Sequence, residues 1–183
     1  MKKILFASVM SLLPIVASAA QVRPVIGLDY VRSYADLKVD YEEAVQDKYD
    51  SLAAAFGFKI GNNFGAEAFY QRSKKEDTKI LNTIQTSFDA VGADAVFYLP
   101  LEKPFELVPS LGLGWYTVKG EAKIGEYDSE TTEDGLGARA GLALQINFND
   151  YVATRIGGRA VKMFDFDTVN YLAEFNVGMR FTF

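Results

Sequence analysis

From Tyr171 to Phe183 the chain reads YLAEFNVGMRFTF, with an apolar side chain at every second position: Tyr171, Ala173, Phe175, Val177, Met179, Phe181 and Phe183. A period of two predicts a β-strand with one apolar face. The same alternation recurs seven times upstream. In 22–31, Pro24, Ile26, Leu28 and Tyr30 oppose Arg23, Gly27 and Asp29; in 51–61, Leu52, Ala54, Phe56, Phe58 and Ile60 oppose Gly57, Lys59 and Gly61. In 63–72, Phe64, Ala66, Ala68 and Tyr70 oppose Gly65, Glu67 and Gln71. Segment 89–99 sets Val91, Ala93, Ala95, Phe97 and Leu99 against Gly92 and Asp94. Asp89 falls on its apolar parity, where a bulge would restore the register.

The remaining three strands follow the rule. Segment 104–116 sets Phe105, Leu107, Leu111, Leu113 and Trp115 against Glu106, Ser110, Gly112 and Gly114. In 135–148 the apolar Leu136, Ala138, Ala140, Leu142, Leu144, Ile146 and Phe148 oppose Gly137, Arg139, Gly141 and Gln145. In 151–161, Val152, Thr154, Ile156 and Ala160 oppose Arg155, Gly157 and Arg159. Connections alternate between tight (61–63, 100–104, 148–150) and long and polar (about 32–50, 73–85, 117–134, 162–170). Eight strands so joined predict one domain, 21–183, folded as an all-β, eight-stranded antiparallel up-and-down barrel.

Three observations decide which face points inward. The interior of an eight-stranded barrel only just admits side chains, and the apolar faces are too bulky for it. Most glycines lie on the polar face, where a backbone passing close to large neighbours needs them. The polar faces also carry near-balanced charge: Asp29, Glu67, Asp94, Glu106 and Glu174 against Arg23, Lys59, Arg139, Arg155, Arg159 and Arg180. A poorly hydrated interior needs such balance, because an unpaired buried charge is costly. Ten of these, all but Arg23, form the predicted lumen network. Aromatic residues gather near strand ends, among them Tyr30, Tyr70, Phe97, Tyr98, Phe105, Trp115, Phe148, Tyr151, Tyr171, Phe181 and Phe183. Such girdles mark the interfaces of membrane barrels. The apolar face is therefore expected to meet lipid, and the strands form a transmembrane barrel.

Composition narrows the function. With no Cys and no His, thiol chemistry, the commonest general base and the commonest transition-metal ligand are all absent. The opening MKKILFASVMSLLPIVASAA has a basic start, a short apolar stretch and small residues for cleavage. It predicts a secretory signal peptide over 1–20. Its removal takes Lys2 and Lys3 from 19 basic residues, leaving 17 against 24 acidic, a net charge of −7. That surface suits no nucleic acid. GLGARAG (135–141) opens a strand and lacks dinucleotide spacing, so glycine packing explains it better.

A terminal amphipathic strand ending in Phe183, with Phe181, Met179, Val177 and Phe175 in phase, resembles the assembly signal of bacterial outer-membrane barrels. Together with the signal peptide, the missing Cys and the eight strands, the chain looks like the small outer-membrane barrels of the OmpA/OmpX and opacity-protein type, without a periplasmic domain. The resemblance implies bacterial outer-membrane localisation, insertion by the barrel-assembly machinery, and contact with outer-membrane lipid and lipopolysaccharide. Enzymes among such barrels use a catalytic His, so no enzymatic activity, no catalytic or metal site and no cofactor is expected. A structural envelope role comes first, with a surface adhesin or a narrow pore for small solutes as alternatives. Segments 33–50 and 119–134 each carry six acids, a composition that suits solvated loops and offers oxygen ligands to Ca²⁺ or Mg²⁺. RSKKED (72–77) is locally basic and suited to lipopolysaccharide phosphates.

Overall fold

The computed structural model describes residues 21–37, 48–74, 76–78, 84–124, 127–164, 166 and 169–183, and the signal segment 1–20 lies outside these. Among the described residues there is no helix. Ten strand segments follow one another: β1 (Val22–Leu37), β2 (Lys48–Ile60), β3 (Phe64–Ser73), β4 (Glu76–Thr78), β5 (Ile84–Phe97), β6 (Leu99–Pro100), β7 (Phe105–Ile124), β8 (Tyr127–Asn147), β9 (Val152–Met163) and β10 (Val169–Thr182). Two are short continuations. β4 carries on the line of β3 against β5, and β6 carries on β5 against β7. Eight staves remain, each antiparallel to its neighbours.

The sheet closes on itself. Its ladder runs from β5 through β3, β2, β1, β10, β9, β8 and β7, and β5 pairs with β7 to complete the ring. The two ends of the chain supply one seam, β1 on β10, in register from Val25 with Thr182 to Asp36 with Tyr171 and shifting by a residue at Leu37. Closure satisfies every interior ladder position and leaves no wall edge, which a hydrocarbon environment requires.

Alternation is preserved through every stave. Ile26, Leu28, Phe56, Leu113, Leu142, Ile156 and Phe175 point outward, each with about half or more of its surface exposed, while Asp29, Glu67, Arg139 and Glu174 are buried. The outward band runs from Pro24 to Tyr30 on β1, Leu52 to Ile60 on β2, Phe64 to Tyr70 on β3 and Val91 to Phe97 on β5. It continues from Phe105 to Trp115 on β7, Leu136 to Ile146 on β8, Val152 to Ala160 on β9 and Tyr171 to Phe183 on β10. No outward-pointing residue within it is charged. This is the apolar belt of a membrane barrel, about 25 Å tall in such proteins.

Three expectations from the sequence are corrected. Asp89 needs no bulge: the β3–β5 register is regular from Phe64 with Phe97 to Arg72 with Asp89. Asp89 keeps its outward parity because it lies just above the belt, where Arg72 meets it at 3.5 Å. The segment 117–134 is mostly strand, since β7 and β8 stay paired as far as Ile124 with Tyr127. At ~3.3 Å per residue this hairpin extends about 23 Å along the strand beyond Thr117. Tyr98, placed with the outward aromatics, instead points inward and is 2% exposed. It shares parity with Asp94 and Val96, so the pleat turns it to the lumen.

Candidate functional site

The ten charged lumen residues come from all eight staves. Because each stave contributes every second residue to the interior, charges far apart in sequence converge. They fall into two layers with an apolar layer above.

The layer nearer the short turns is one continuous network. Arg180 on β10 donates from Nη1 and Nη2 to the two carboxylate oxygens of Asp29 on β1, both at 2.9 Å. Its Nε lies 3.5 Å from Glu67 on β3. Arg155 on β9 donates to both oxygens of Glu67 at 2.9 and 3.1 Å. It also donates to the Gln145 side-chain carbonyl at 3.0 Å and to the Tyr98 hydroxyl at 3.3 Å. Tyr98 in turn donates to Glu67 at 3.2 Å. Gln145 donates to Glu106 at 2.9 Å, and Lys59 donates to the same carboxylate at 3.2 Å. Lys59 also sits 4.0 Å from the centre of the Tyr98 ring, a cation–π contact. Three acids, Asp29, Glu67 and Glu106, thus hold Arg155, Arg180 and Lys59.

The second layer holds two separate couples. Arg139 Nε lies 3.1 Å from Asp94, and Arg159 Nε lies 3.1 Å from Glu174. Neither approach is aligned as a hydrogen bond, and all three Arg139 nitrogens lack a hydrogen-bond partner among the described residues. The guanidinium instead lies 3.7 Å from the centre of the Phe69 ring. Glu174 accepts from Gln71 at 3.0 Å and from Ser33 at 3.3 Å. Glu174 and Arg180 therefore belong to different layers. Between the layers lies a cavity of about 30 Å³ lined by Glu67, Asp94, Ser110, Arg155, Arg159 and Asn176 among others, room for a water or two.

Above the ions, toward the long loops, the lumen is apolar. Tyr49, Phe69, Phe88, Tyr116, Val161, Met163 and Leu172 pack into one buried cluster, with the Tyr49 and Phe88 rings edge to face at 5.3 Å. Sequence parity could have found Tyr98 and Tyr116, which share phase with the inward glycines and acids of their strands; for Tyr98 the aromatic residue type pointed to lipid instead, and Tyr116 was given no face. Gln71, Gln145 and Ser33 carry no charge and became visible as network members only when the staves were brought together. Arg23 is half-buried and its Nε has no hydrogen-bond partner among the described residues.

Inward glycines make this filling possible. A Cβ on Gly112 would collide with the Asp94 carboxylate, one on Gly178 with the Asp29 carboxylate, and one on Gly27 would stand 2.7 Å from Arg180 Nη1. Gly178→Val is expected to cost about 1–3 kcal/mol through this overpacking, read as a lower urea midpoint for unfolding from lipid vesicles. The same Cβ would meet the Leu28 carbonyl of the neighbouring stave, so an unchanged midpoint would mean that the β1–β10 seam itself can shift.

The terminal aromatic set lies on the opposite face. Phe175, Val177, Phe181 and Phe183 are exposed on the outside of β10, and Met179 lies in phase with them, 3.1 Å from the Thr154 hydroxyl. The Phe183 backbone N–H donates to Pro24 at 3.0 Å, pinning the chain end into the seam. Among the described residues no group of carboxylates is arranged to hold a metal ion. The acidic loop segments fall largely on residues whose side chains lie outside the described set.

A closed eight-stave ring, an uncharged outward belt and a filled, ionic interior coincide with a match of residues 4–183 to the family model for the outer membrane protein beta-barrel domain. The chain belongs to that family. No curated protein matches it. Among solved structures, Neisserial surface protein A is 17% identical with a TM-score of 0.61, the alignment covering 90% of this chain and 99% of that one. Ail, the attachment invasion locus protein of Yersinia pestis, was solved with the heparin analogue sucrose octasulfate. It is 14% identical with a TM-score of 0.60, covering 90% of this chain and 99% of its own. OprG from Pseudomonas aeruginosa is 13% identical with a TM-score of 0.56, covering 90% and 97%. At these identities the likeness is one of fold. Family and fold together place this outer-membrane barrel protein in the bacterial outer membrane.

Proposed function

We propose that the protein is a non-enzymatic, structural barrel of the Gram-negative outer membrane, exported through a signal peptide, with a lumen closed to solutes and four loop regions displayed outside. The observation that carries this reading is the stacking of an apolar cluster on two ion-paired layers. Opposite charges from β1, β2, β3, β5, β7, β8, β9 and β10 meet inside the lumen, some between neighbouring staves and some across it, and aromatic and aliphatic side chains fill the loop end. An ion crossing this interior would have to part salt bridges and enter an apolar plug.

In this reading the outward Phe175, Val177, Met179, Phe181 and Phe183 serve as the segment taken up by the barrel-insertion machinery. Planar-bilayer recording of refolded protein tests closure. No steady porin-sized current is expected, and sugars and nucleotides should not pass. A steady current would promote the narrow-pore alternative. A second reading, surface attachment, is favoured by the β7–β8 hairpin, which stands well clear of the belt. The attachment protein Ail is an example of this fold bound to a polyanion analogue. Replacing residues 117–134 with a short turn should leave folding intact and abolish attachment to cells if that reading holds.

A further inference from the structure

The outer surface carries a repeat that neither the lumen nor the belt uses. On β1, Tyr30 is followed two residues later by Arg32, and Asp50 on β2 is the direct cross-strand partner of Arg32. On β3, Tyr70 is followed by Arg72, and Asp89 on β5 is the direct partner of Arg72. In both, the tyrosine hydroxyl donates to the aspartate, at 2.6 Å for Tyr30 and 3.3 Å for Tyr70. Each arginine approaches the same carboxylate through Nε, at 3.8 Å for Arg32 and 3.5 Å for Arg72. The two guanidinium forks stay largely in the open, with side-chain exposures of 49% and 70%.

Two lysines join them. The Lys74 backbone donates to the Asp50 carbonyl at 2.9 Å, which sets Lys74 beside Asp50 on the next stave. Lys48 is the cross-strand partner of Tyr34. Arg32, Lys48, Arg72 and Lys74 thus crowd the outside of β1–β3 around Asp50 and Asp89, with the exposed Asp36 farther along β1, a local net charge of +1 on a chain whose formal net charge is −5.

Height gives this patch its meaning. Tyr30, Leu52 and Tyr70 lie immediately below it, and the outward Tyr34 continues beyond Arg32 on β1, so the cations sit among the aromatics at the loop-side rim of the belt. In a barrel whose long loops face outward, that rim meets the head groups of the outer leaflet. Exposed ion pairs contribute little to stability, so folding gives scant reason for the repeat. Were neutralisation the purpose, each fork would engage its aspartate with two nitrogens, as Arg180 does with Asp29 inside. Instead the aspartate accepts the tyrosine hydroxyl and draws the arginine only by charge, with Arg32 also lying 5.9 Å from the centre of the Tyr34 ring, which orients the arginine and leaves its fork for another anion. A planar fork matches phosphate oxygens.

We propose that Arg32, Lys48, Arg72 and Lys74 form a docking site for the phosphorylated head group of the outer-leaflet glycolipid, lipopolysaccharide, held against the outside of β1–β3. Arg32 and Arg72 stand two staves apart, about 10 Å at the usual strand spacing, far enough to take separate phosphates while the lysines supply general attraction. Asp50 and Asp89 act as positioning residues. The inference rests on the outer-membrane reading of the barrel and goes beyond it by naming a lipid partner and its contacts.

The test uses full-length mature protein in phosphatidylcholine nanodiscs containing lipid A, with chelator present, and counts bound lipid A by native mass spectrometry. Wild type should retain lipid A, and R32Q/R72Q should weaken retention roughly 30-fold. Lipid A stripped of its phosphates should bind wild type no better than it binds R32Q/R72Q. K119Q/K162Q, on other staves, should match wild type. Equal retention by R32Q/R72Q, undiminished binding of dephosphorylated lipid, or an equal loss in K119Q/K162Q would overturn the proposal. Binding of soluble sucrose octasulfate by this patch in place of lipid A would reassign it to a surface glycan. The bilayer current of the same preparation separates this outcome from the closed-lumen reading: a barrel that stays closed yet holds no lipid A refutes the docking site alone.

Discussion

Glu67→Ala is expected to lower the stability of the folded barrel in lipid by about 3–5 kcal/mol, the usual result of removing one partner from a buried ion pair. Glu67 lies at the crossing of the turn-side network. Its carboxylate takes two bonds from Arg155 and one from Tyr98, and it faces Arg180 Nε at 3.5 Å. Truncation leaves Arg155 with only Gln145 and Tyr98, both neutral, while Arg180 keeps its two bonds to Asp29. Arg155 is 5% exposed and cannot reach bulk water. Glu67→Gln keeps the volume and one acceptor but removes the charge, so its loss should be smaller. Restoring balance with Arg155→Met in the Glu67→Ala background should recover part of the loss, since an apolar replacement of a whole pair is often neutral. Urea titration of vesicle-inserted protein, followed by tryptophan emission from Trp115, reads all three. If Glu67→Ala cost less than 1 kcal/mol, water would have to fill the lumen and screen the charges, and closure itself would be in doubt.

The period-two pattern made the wall legible from sequence, because burial on one face leaves register little freedom. It placed Asp29, Glu67, Asp94, Arg139 and Glu174 on one side of the sheet without any knowledge of which strands are neighbours. It did not reveal who meets whom. Arg180 and Glu174 are six residues apart on β10, yet one reaches Asp29 and Glu67 and the other Arg159. Partner choice depends on how far each stave is staggered around the ring, and stagger is a property of closure. The apolar plug was hidden for a related reason. Tyr49, Phe69, Phe88, Tyr116 and Leu172 each sit singly on an inward parity, and only the ring gathers them. Residue type misled at Tyr98, where an aromatic near a strand end suggested a girdle and parity gave the better answer. Strand ends were set too short because polar residues such as Arg32 and Thr117 were taken for loop, although outward polar residues above the belt extend a strand as readily as apolar ones.

Leu142→Arg should impair insertion far more than Leu136→Arg, although both replace an exposed leucine on the same face of β8. Leu142 lies within the belt, paired with Pro109 on one side and Gly158 on the other. Leu136 pairs with Trp115 at the loop-side edge, two residues from the outward Asp134. An arginine near the bilayer midplane of a barrel costs about 2–4 kcal/mol, falling to about 0–1 near an interface. At position 136 the side chain can reach head groups; at 142 it must thin the bilayer or carry water inward. Arg139→Leu, three residues from Leu142 and pointing the other way, leaves the lipid face intact and strands Asp94, so its cost should appear whether the barrel sits in thin or thick bilayers. The penalty of Leu142→Arg should instead shrink as acyl chains shorten. Folding yields in vesicles of two chain lengths, scored by the mobility shift of unheated samples on gels, separate these mechanisms. If Leu142→Arg folds as well as wild type while Arg139→Leu shows the chain-length dependence, the lipid and lumen faces are reversed.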